Sequence, residues 1–224
     1  MKVLSIITQK GGSGKTTIAT ALAVAAELDG KSVAVFDLDP QATACFWSDV
    51  REAPTPAVKD CSVARLPHYL KAAEQAGCDL AVIDCPAVHR DIAHDAAALS
   101  DFILIPTRAD VFDIRSMSKT IDVVRSVGKP HAVVLNFCPP AGAEVPAARE
   151  GVAQIGVELC PVELHQLKAF ARAQQTGQSA QEIDPKSAAA AQIINLYGYT
   201  HRKLYQDQEA SHDENQSQPI ASRA

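Results

Sequence analysis

Residues 9–17 read QKGGSGKTT; they follow directly on the apolar run VLSIIT (3–8) and lead into an Ala/Leu-rich segment that begins at Lys15. A strand, a glycine-rich turn and a helix in that order make an anion site. Glycines let backbone N–H groups approach phosphate oxygens, a helix N-terminus adds partial positive charge, and a lysine adds a full one. Gly11, Gly12 and Gly14, with Ser13 among them, supply the permissive backbone, and Lys15 is expected to reach the β and γ phosphates of a nucleotide. Thr16 is expected to offer its hydroxyl to Mg²⁺, and Thr17 to donate toward the α phosphate. The standard phosphate-loop pattern begins with glycine where this chain has Gln9, and a second lysine, Lys10, follows it. A lysine set among glycines at a strand end does not serve core packing; a ligand phosphate is its natural counter-charge.

Outward from this loop, short and nearly continuous apolar runs recur at 32–38 (SVAVFDL), 79–86 (DLAVIDCP), 101–107 (DFILIPT) and 131–137 (HAVVLNF). Such runs fit strands buried on both faces. Helical segments lie between them: Lys15 to Asp29 closes at Gly30, and Ile114 to Val127 closes at Gly128. The alternation predicts an α/β fold, a mostly parallel sheet flanked by helices on both faces. After about residue 160 the strand pattern stops, and Glu163 to Thr176 and Ser187 to Leu204 read as two helices. The expected organisation is one phosphate-loop domain over 1–206 and a polar, disordered tail over 207–224.

With 224 residues, 47% hydrophobic and 21% charged, the chain has enough apolar material for a substantial core. A net charge of −5 excludes a protein that coats nucleic acid by charge alone. No apolar run reaches the roughly 18 residues of a membrane span, and the N-terminus lacks a signal-peptide pattern, so a cytoplasmic protein without membrane attachment is expected. The six cysteines show neither a CxxC pair nor zinc spacing and read as buried free thiols. Asp84 ends an apolar strand, where a carboxylate is needed to hold Mg²⁺, usually through water, beside a phosphate loop.

The stretch Lys-Gly-Gly-Ser-Gly-Lys-Thr-Thr, with Asp37-Leu38-Asp39-Pro40-Gln41 and the VIDCP segment around Asp84, resembles the deviant Walker ATPases of the ParA/MinD group. Trp47, the run IPTRADVFDIRSMSKTIDVVR (105–125) and AFARAQQTGQSAQE (169–182) are similar to the small ParA-type partition ATPases that lack an N-terminal helix-turn-helix. The resemblance implies an ATPase with ATP and Mg²⁺ as ligands. It implies that Asp39 orients the attacking water, that Asp37 supports the loop and the waters of the metal, and that Asn136 contacts adenine, with 161–163 on the other side of the base. It implies that Lys10 reaches the nucleotide of a second subunit, so that ATP joins a homodimer.

The resemblance further implies non-specific DNA binding in the ATP state, nucleoid association, and a ParB-like or other adaptor that stimulates slow hydrolysis. Residues 168–203 hold Lys168, Arg172, Lys186, Arg202 and Lys203 against two acidic residues, and Arg115, Lys119 and Arg125 are expected to extend that patch. Four acidic residues and one arginine fall in 207–224, so much of the net negative charge belongs to the tail. Two other functions fit related loops: a positioning or regulatory ATPase for a non-DNA cargo such as a protein cluster, and an iron–sulfur protein or amide-forming synthetase. The iron–sulfur version requires interface cysteines, a role to which neither Cys85 nor Cys138 is matched.

Overall fold

The computed structural model describes residues 1–87 and 89–205; the segment expected as a disordered tail, 207–224, lies outside them. In chain order the elements are β1 (Lys2–Ile6), α1 (Lys15–Leu28), β2 (Val33–Asp37), α2 (Thr43–Asp49), β3 (Ala57–Asp60), α3 (Leu66–Gln75), β4 (Leu80–Asp84), α4 (Arg90–Ala98), β5 (Phe102–Arg108), α5 (Val111–Ser126), β6 (His131–Cys138), α6 (Glu144–Ile155), β7 (Leu159–His165), α7 (Lys168–Gln175), α8 (Ala180–Ile183) and α9 (Ala188–Tyr205). The seven strands form one sheet in the order β3-β2-β4-β1-β5-β6-β7, and every strand pairing is parallel.

Alternation along the strands divides the interior into two layers. Leu4 and Ile6 of β1 face Ile18 and Leu22 of α1 and Leu196 of α9, whereas Val3 and Ile7 face the layer that holds Leu66 of α3, Ala96 of α4, Ile121 of α5 and Val152 of α6. Burial on both faces is what makes the five central strands read as continuous apolar runs. Ser5, fully buried on the second face, is satisfied by the Ser100 hydroxyl at 2.6 Å.

Two strands depart from the expected pattern. The edge strand β3 (AVKD) is largely exposed, so no apolar run announces it. The other edge strand, β7, takes residues 159–165, including Glu163, which the sequence assigns to a helix. Its exposed Pro161 is tolerated because an edge strand needs N–H donors on one side only. The helix that follows starts at Lys168 instead. Of the six cysteines, all free, only Cys85, Cys138 and Cys160 are buried; Cys45, Cys61 and Cys78 are half-buried.

In this strand order β1 and β5 are neighbours, and the connection after β1 runs to one side, toward β2, while that after β5 runs to the other, toward β6. A parallel sheet opens its ligand crevice at such a reversal, beyond the C-terminal strand ends. The loop after β1 lies there.

Candidate functional site

Gly12 (φ +68°) and Gly14 (φ +87°) give the loop its left-handed turns. At Gly14 a side chain is excluded outright, since a Cβ would lie 2.3 Å from Nδ2 of Asn136. No side chain caps the N-terminus of α1, which leaves its first N–H groups for a ligand. Lys15 is buried at the first helical position, and the buried Ser13 hydroxyl has no hydrogen-bond partner.

The Thr16 hydroxyl donates to Oδ2 of Asp84 at 2.6 Å, while Oδ1 of Asp84 is buried without a partner. Burial pushes the Asp84 carboxyl up to about 7; the Thr16 bond and Lys15 oppose that rise, and Asp37 adds to it. An orphaned carboxylate oxygen beside a threonine hydroxyl and a lysine suits a divalent cation and its phosphate. Among the described residues no group of three His, Cys, Asp or Glu side chains could hold a metal. Mg²⁺ does not require one, because it keeps waters and substrate phosphates with one or two protein oxygens.

The Asp37 carboxylate is occupied by its own chain. Oδ1 accepts from the Asp39 N–H at 3.0 Å, and Oδ2 from the N–H groups of Ala44 (2.9 Å) and Cys45 (3.3 Å). It therefore pins the loop 38–42 and places negative charge at the N-terminus of α2. These bonds fit the loop-supporting role expected of Asp37. Asp39 stands half-buried at the turn, its Oδ1 accepting from the Gln41 N–H at 2.9 Å, and Ala42 takes φ +51° just after it.

Lys10 turns to its own chain. Its Nζ lies 2.6 Å from Oδ1 of Asp113, a buried residue in the first turn of α5 whose Oδ2 has no partner. Asp113 was not singled out by sequence reasoning; an acidic residue in a first helical turn is common, and nothing local ties it to a loop 103 positions earlier.

Asn136 joins the loop to a neighbouring cavity that it also lines. Its Nδ2 donates to the Ser13 carbonyl at 2.8 Å and its Oδ1 accepts from the Phe137 N–H at 2.8 Å, so both ends of the amide hold backbone. Beside it opens a mainly apolar cavity of about 540 Å³, lined by Thr17, Ile18, Phe137, Leu164, Leu167 and Phe170 among others. A flat heterocycle next to the phosphate loop fits such walls. The expected second wall at 161–163 is replaced by residues from Leu164 onward, because strand alternation turns Pro161 and Glu163 to other neighbours; Glu163 pairs with Arg149.

The basic residues do not form one patch. Gln192 of α9 bonds His165 at the end of β7, and Lys203 pairs with Glu158, before β7 begins, at 3.1 Å. Thus α9 runs down the sheet for about 27 Å (18 residues at 1.5 Å each) and separates Lys186 at its head from Arg202 and Lys203 at its foot. Lys168 borders the apolar cavity and Arg172 lies one turn further along α7. Lys203 instead joins Arg125, Lys129 and His131 around a separate cleft of about 670 Å³. Cys85 and Cys138 are fully buried, which removes them as interface cluster ligands.

A glycine-rich loop opening a helix, a Thr–Asp pair below it and a base-sized cavity beside it define a phosphate-loop nucleotide-binding protein. The chain belongs to the CobQ/CobB/MinD/ParA nucleotide-binding domain family, whose pattern matches residues 4–180, and is a ParA/MinD-type Walker ATPase. It is similar to the maintenance of carboxysome distribution protein A of Halothiobacillus neapolitanus, 28% identical over 202 residues that cover 86% of this chain and 92% of that one. It is also similar to protein ParA of Rhizobium radiobacter, 24% identical over 204 residues covering 87% and 91%. The fold matches that of the cell-division ATPase MinD of Pyrococcus furiosus with a TM-score of 0.73 at 21% identity, covering 90% of this chain and 98% of that one.

Proposed function

We propose that this protein is a nucleotide-switched positioning ATPase: it binds ATP with Mg²⁺, dimerises in that state, holds DNA without sequence preference and releases it after slow, partner-stimulated hydrolysis. The observation that carries this reading is the second loop lysine, Lys10, which directly precedes the phosphate-binding glycines yet pairs with Asp113 of its own chain. A lysine needed only for its own nucleotide has no reason to be kept off it; one that serves a second copy does.

Lys15 and the α1 N–H groups bind the phosphates, Thr16 and Asp84 hold Mg²⁺, and the apolar cavity takes the base. When bound, Mg²⁺ neutralises charge on the phosphates. Asp39, on a loop fixed by Asp37, orients the attacking water, and the same loop reports whether the γ phosphate is present. Charge–charge contact with DNA phosphates is then gated by dimerisation, which doubles the basic residues presented.

A second reading, in which the cargo is a protein assembly rather than a plasmid or chromosome, is favoured by the likeness to the carboxysome distribution protein. Both readings share the switch and differ in the adaptor. Light scattering with ATP, ADP or no nucleotide, followed by a DNA mobility shift under the same conditions, tests the switch. A monomer in all three conditions, or equal DNA binding in all three, would overturn it.

A further inference from the structure

Arg108, the last residue of β5, is exposed, yet its guanidinium is fixed at three points. Nε and Nη2 donate to the Gly12 carbonyl at 3.1 and 2.7 Å, and the group stacks 4.8 Å from the centre of the Phe137 ring. Arg108 is also in register with Asn136 on the neighbouring strand β6. That neighbour holds the next carbonyl of the loop, Ser13, at 2.8 Å. Two adjacent strand ends therefore hold two successive carbonyls of the phosphate loop.

The consequence follows from the planarity of the peptide unit. The only cis peptide among the described residues is Thr55–Pro56, so the loop peptides are trans. In a trans unit the C=O and N–H point in opposite directions. With the Gly12 carbonyl turned to Arg108, the Ser13 N–H points away from it; with the Ser13 carbonyl turned to Asn136, the Gly14 N–H does the same. Successive amides set in this way make the concave donor array that binds an anion. Left untethered, the glycine-rich segment 11–14 has the backbone freedom to rotate those donors out of alignment, at an entropic cost when a phosphate binds.

The ring under the guanidinium extends the effect. Phe137 is held at φ +54°, a conformation rare outside glycine, and lines the apolar cavity next to Thr17. The Arg108 guanidinium over the ring limits its movement. Gly12 fits the same arrangement, since a Cβ there would meet Nη2 of Arg108 at 3.3 Å on a backbone already at φ +68°.

We propose that Arg108 is a positioning residue of the nucleotide site: it fixes the Gly12 peptide so that the loop's N–H groups face the phosphates, and it braces Phe137 at the wall of the base cavity. The inference rests on the reading of this loop as the nucleotide site. Because the action is geometric, it applies to ADP and ATP alike.

The test is a titration of the full-length protein with fluorescent ADP and ATP analogues, for wild type, Arg108→Ala and Arg108→Lys, with steady-state hydrolysis alongside. Loss of a charged two-point bond predicts affinity weakened about tenfold for both nucleotides in Arg108→Ala, with KM raised by a similar factor. The turnover at saturating ATP stays within about twofold, because the reacting phosphate is reached by other residues. Arg108→Lys does not restore affinity, as an ammonium has neither the fork nor the plane. Unchanged affinity in Arg108→Ala overturns the proposal, and full rescue by lysine overturns it in favour of a simple charge on the phosphate. A lower melting temperature without nucleotide, at unchanged affinity, assigns Arg108 to folding alone. Failure of the wild type to bind either nucleotide refutes the nucleotide site itself.

Discussion

Lys10 is paired with Asp113 of its own chain, Nζ to Oδ1 at 2.6 Å, with the lysine half-exposed and the aspartate buried. The pair must open before Lys10 can meet a phosphate on another copy. The exchange is of one anion for another, so its cost is a buried Asp113 carboxylate left without its counter-charge, its second oxygen already lacking a partner. On the proposed cross-subunit role of Lys10, the ion pair biases the nucleotide-free chain toward the monomer.

Lys10→Ala should bind ATP but neither dimerise nor hydrolyse it. Asp113→Asn should shift the dimer to lower ATP concentration, because the competing carboxylate charge is gone. Multi-angle light scattering across an ATP titration measures both; an ATP-dependent dimer of Lys10→Ala sinks the cross-subunit role.

The proposed roles of Lys15 and Thr16 are on the chain's own nucleotide. Lys15→Ala should weaken ATP at least about tenfold, the loss of one charge-assisted contact. Thr16→Ala should retain nucleotide but lose the enhancement by Mg²⁺. Calorimetry with and without Mg²⁺ separates the two, and equal Mg²⁺ enhancement in Thr16→Ala removes the hydroxyl from the metal.

Asp84 sets a pH dependence of the nucleotide-free, metal-free fold. Burial raises its carboxyl from 3.8 to about 7. Between those values the folded chain keeps a proton that the unfolded chain has released, so stability falls as pH rises through that window. Asp84→Asn should flatten this part of the profile. Denaturation midpoints at about pH 5 and pH 8 check it, and a wild-type midpoint that rises with pH contradicts the sign.

Helix α2 and Arg51 just after it are fastened to α8 and to the segment before it. Arg51 donates to the Gly177 carbonyl at 2.7 Å and to both oxygens of Glu182, and Trp47 Nε1 donates to the Gln178 carbonyl at 3.0 Å. Gly177 has φ +63°, and a Cβ there would come within 2.5 Å of the Arg51 backbone. Gly177→Ala should therefore cost about 2 kcal/mol or more of folding stability. Chemical denaturation decides it; a neutral substitution means the segment moves freely.

DNA binding, if gated by ATP, should use the end of the sheet that holds the nucleotide. Arg172→Glu should abolish the ATP-dependent mobility shift while nucleotide affinity persists, and Lys203→Glu at the far end should not. Raising the salt should weaken the wild-type shift steeply. The opposite pattern of variants moves the DNA surface to the cleft of Arg125 and Lys129.

The phosphate loop and the central strands were legible in the sequence because both depend on neighbours in the chain. Glycines at 11, 12 and 14 with a lysine at 15 specify a local backbone, and burial on both faces writes itself as an unbroken apolar run. The edge strands β3 and β7 were not legible, since a strand half-exposed to solvent keeps polar residues and a proline that resemble a loop or a helix. The five basic residues near the C-terminus were correctly noted as an excess. Their division between the two ends of the sheet depends on the direction of α9, which no local pattern records.

By itself the sequence determined a parallel α/β fold with a nucleotide loop and grouped Thr16, Asp84 and Asp37 around a metal; the fold brings Thr16 and Asp84 to within 2.6 Å of each other. Only the tertiary structure decided what holds Lys10, which amides the Asp37 carboxylate takes, and which residues grip the Gly12 and Ser13 carbonyls. Those partners stand 103, 7 and 8, and 96 and 123 positions away in the chain. A phosphate loop is a property of consecutive backbone angles. The hold on its lysine and its carbonyls is a property of the sheet, whose parallel order brings the ends of β1, β5 and β6 and the start of α5 to one edge.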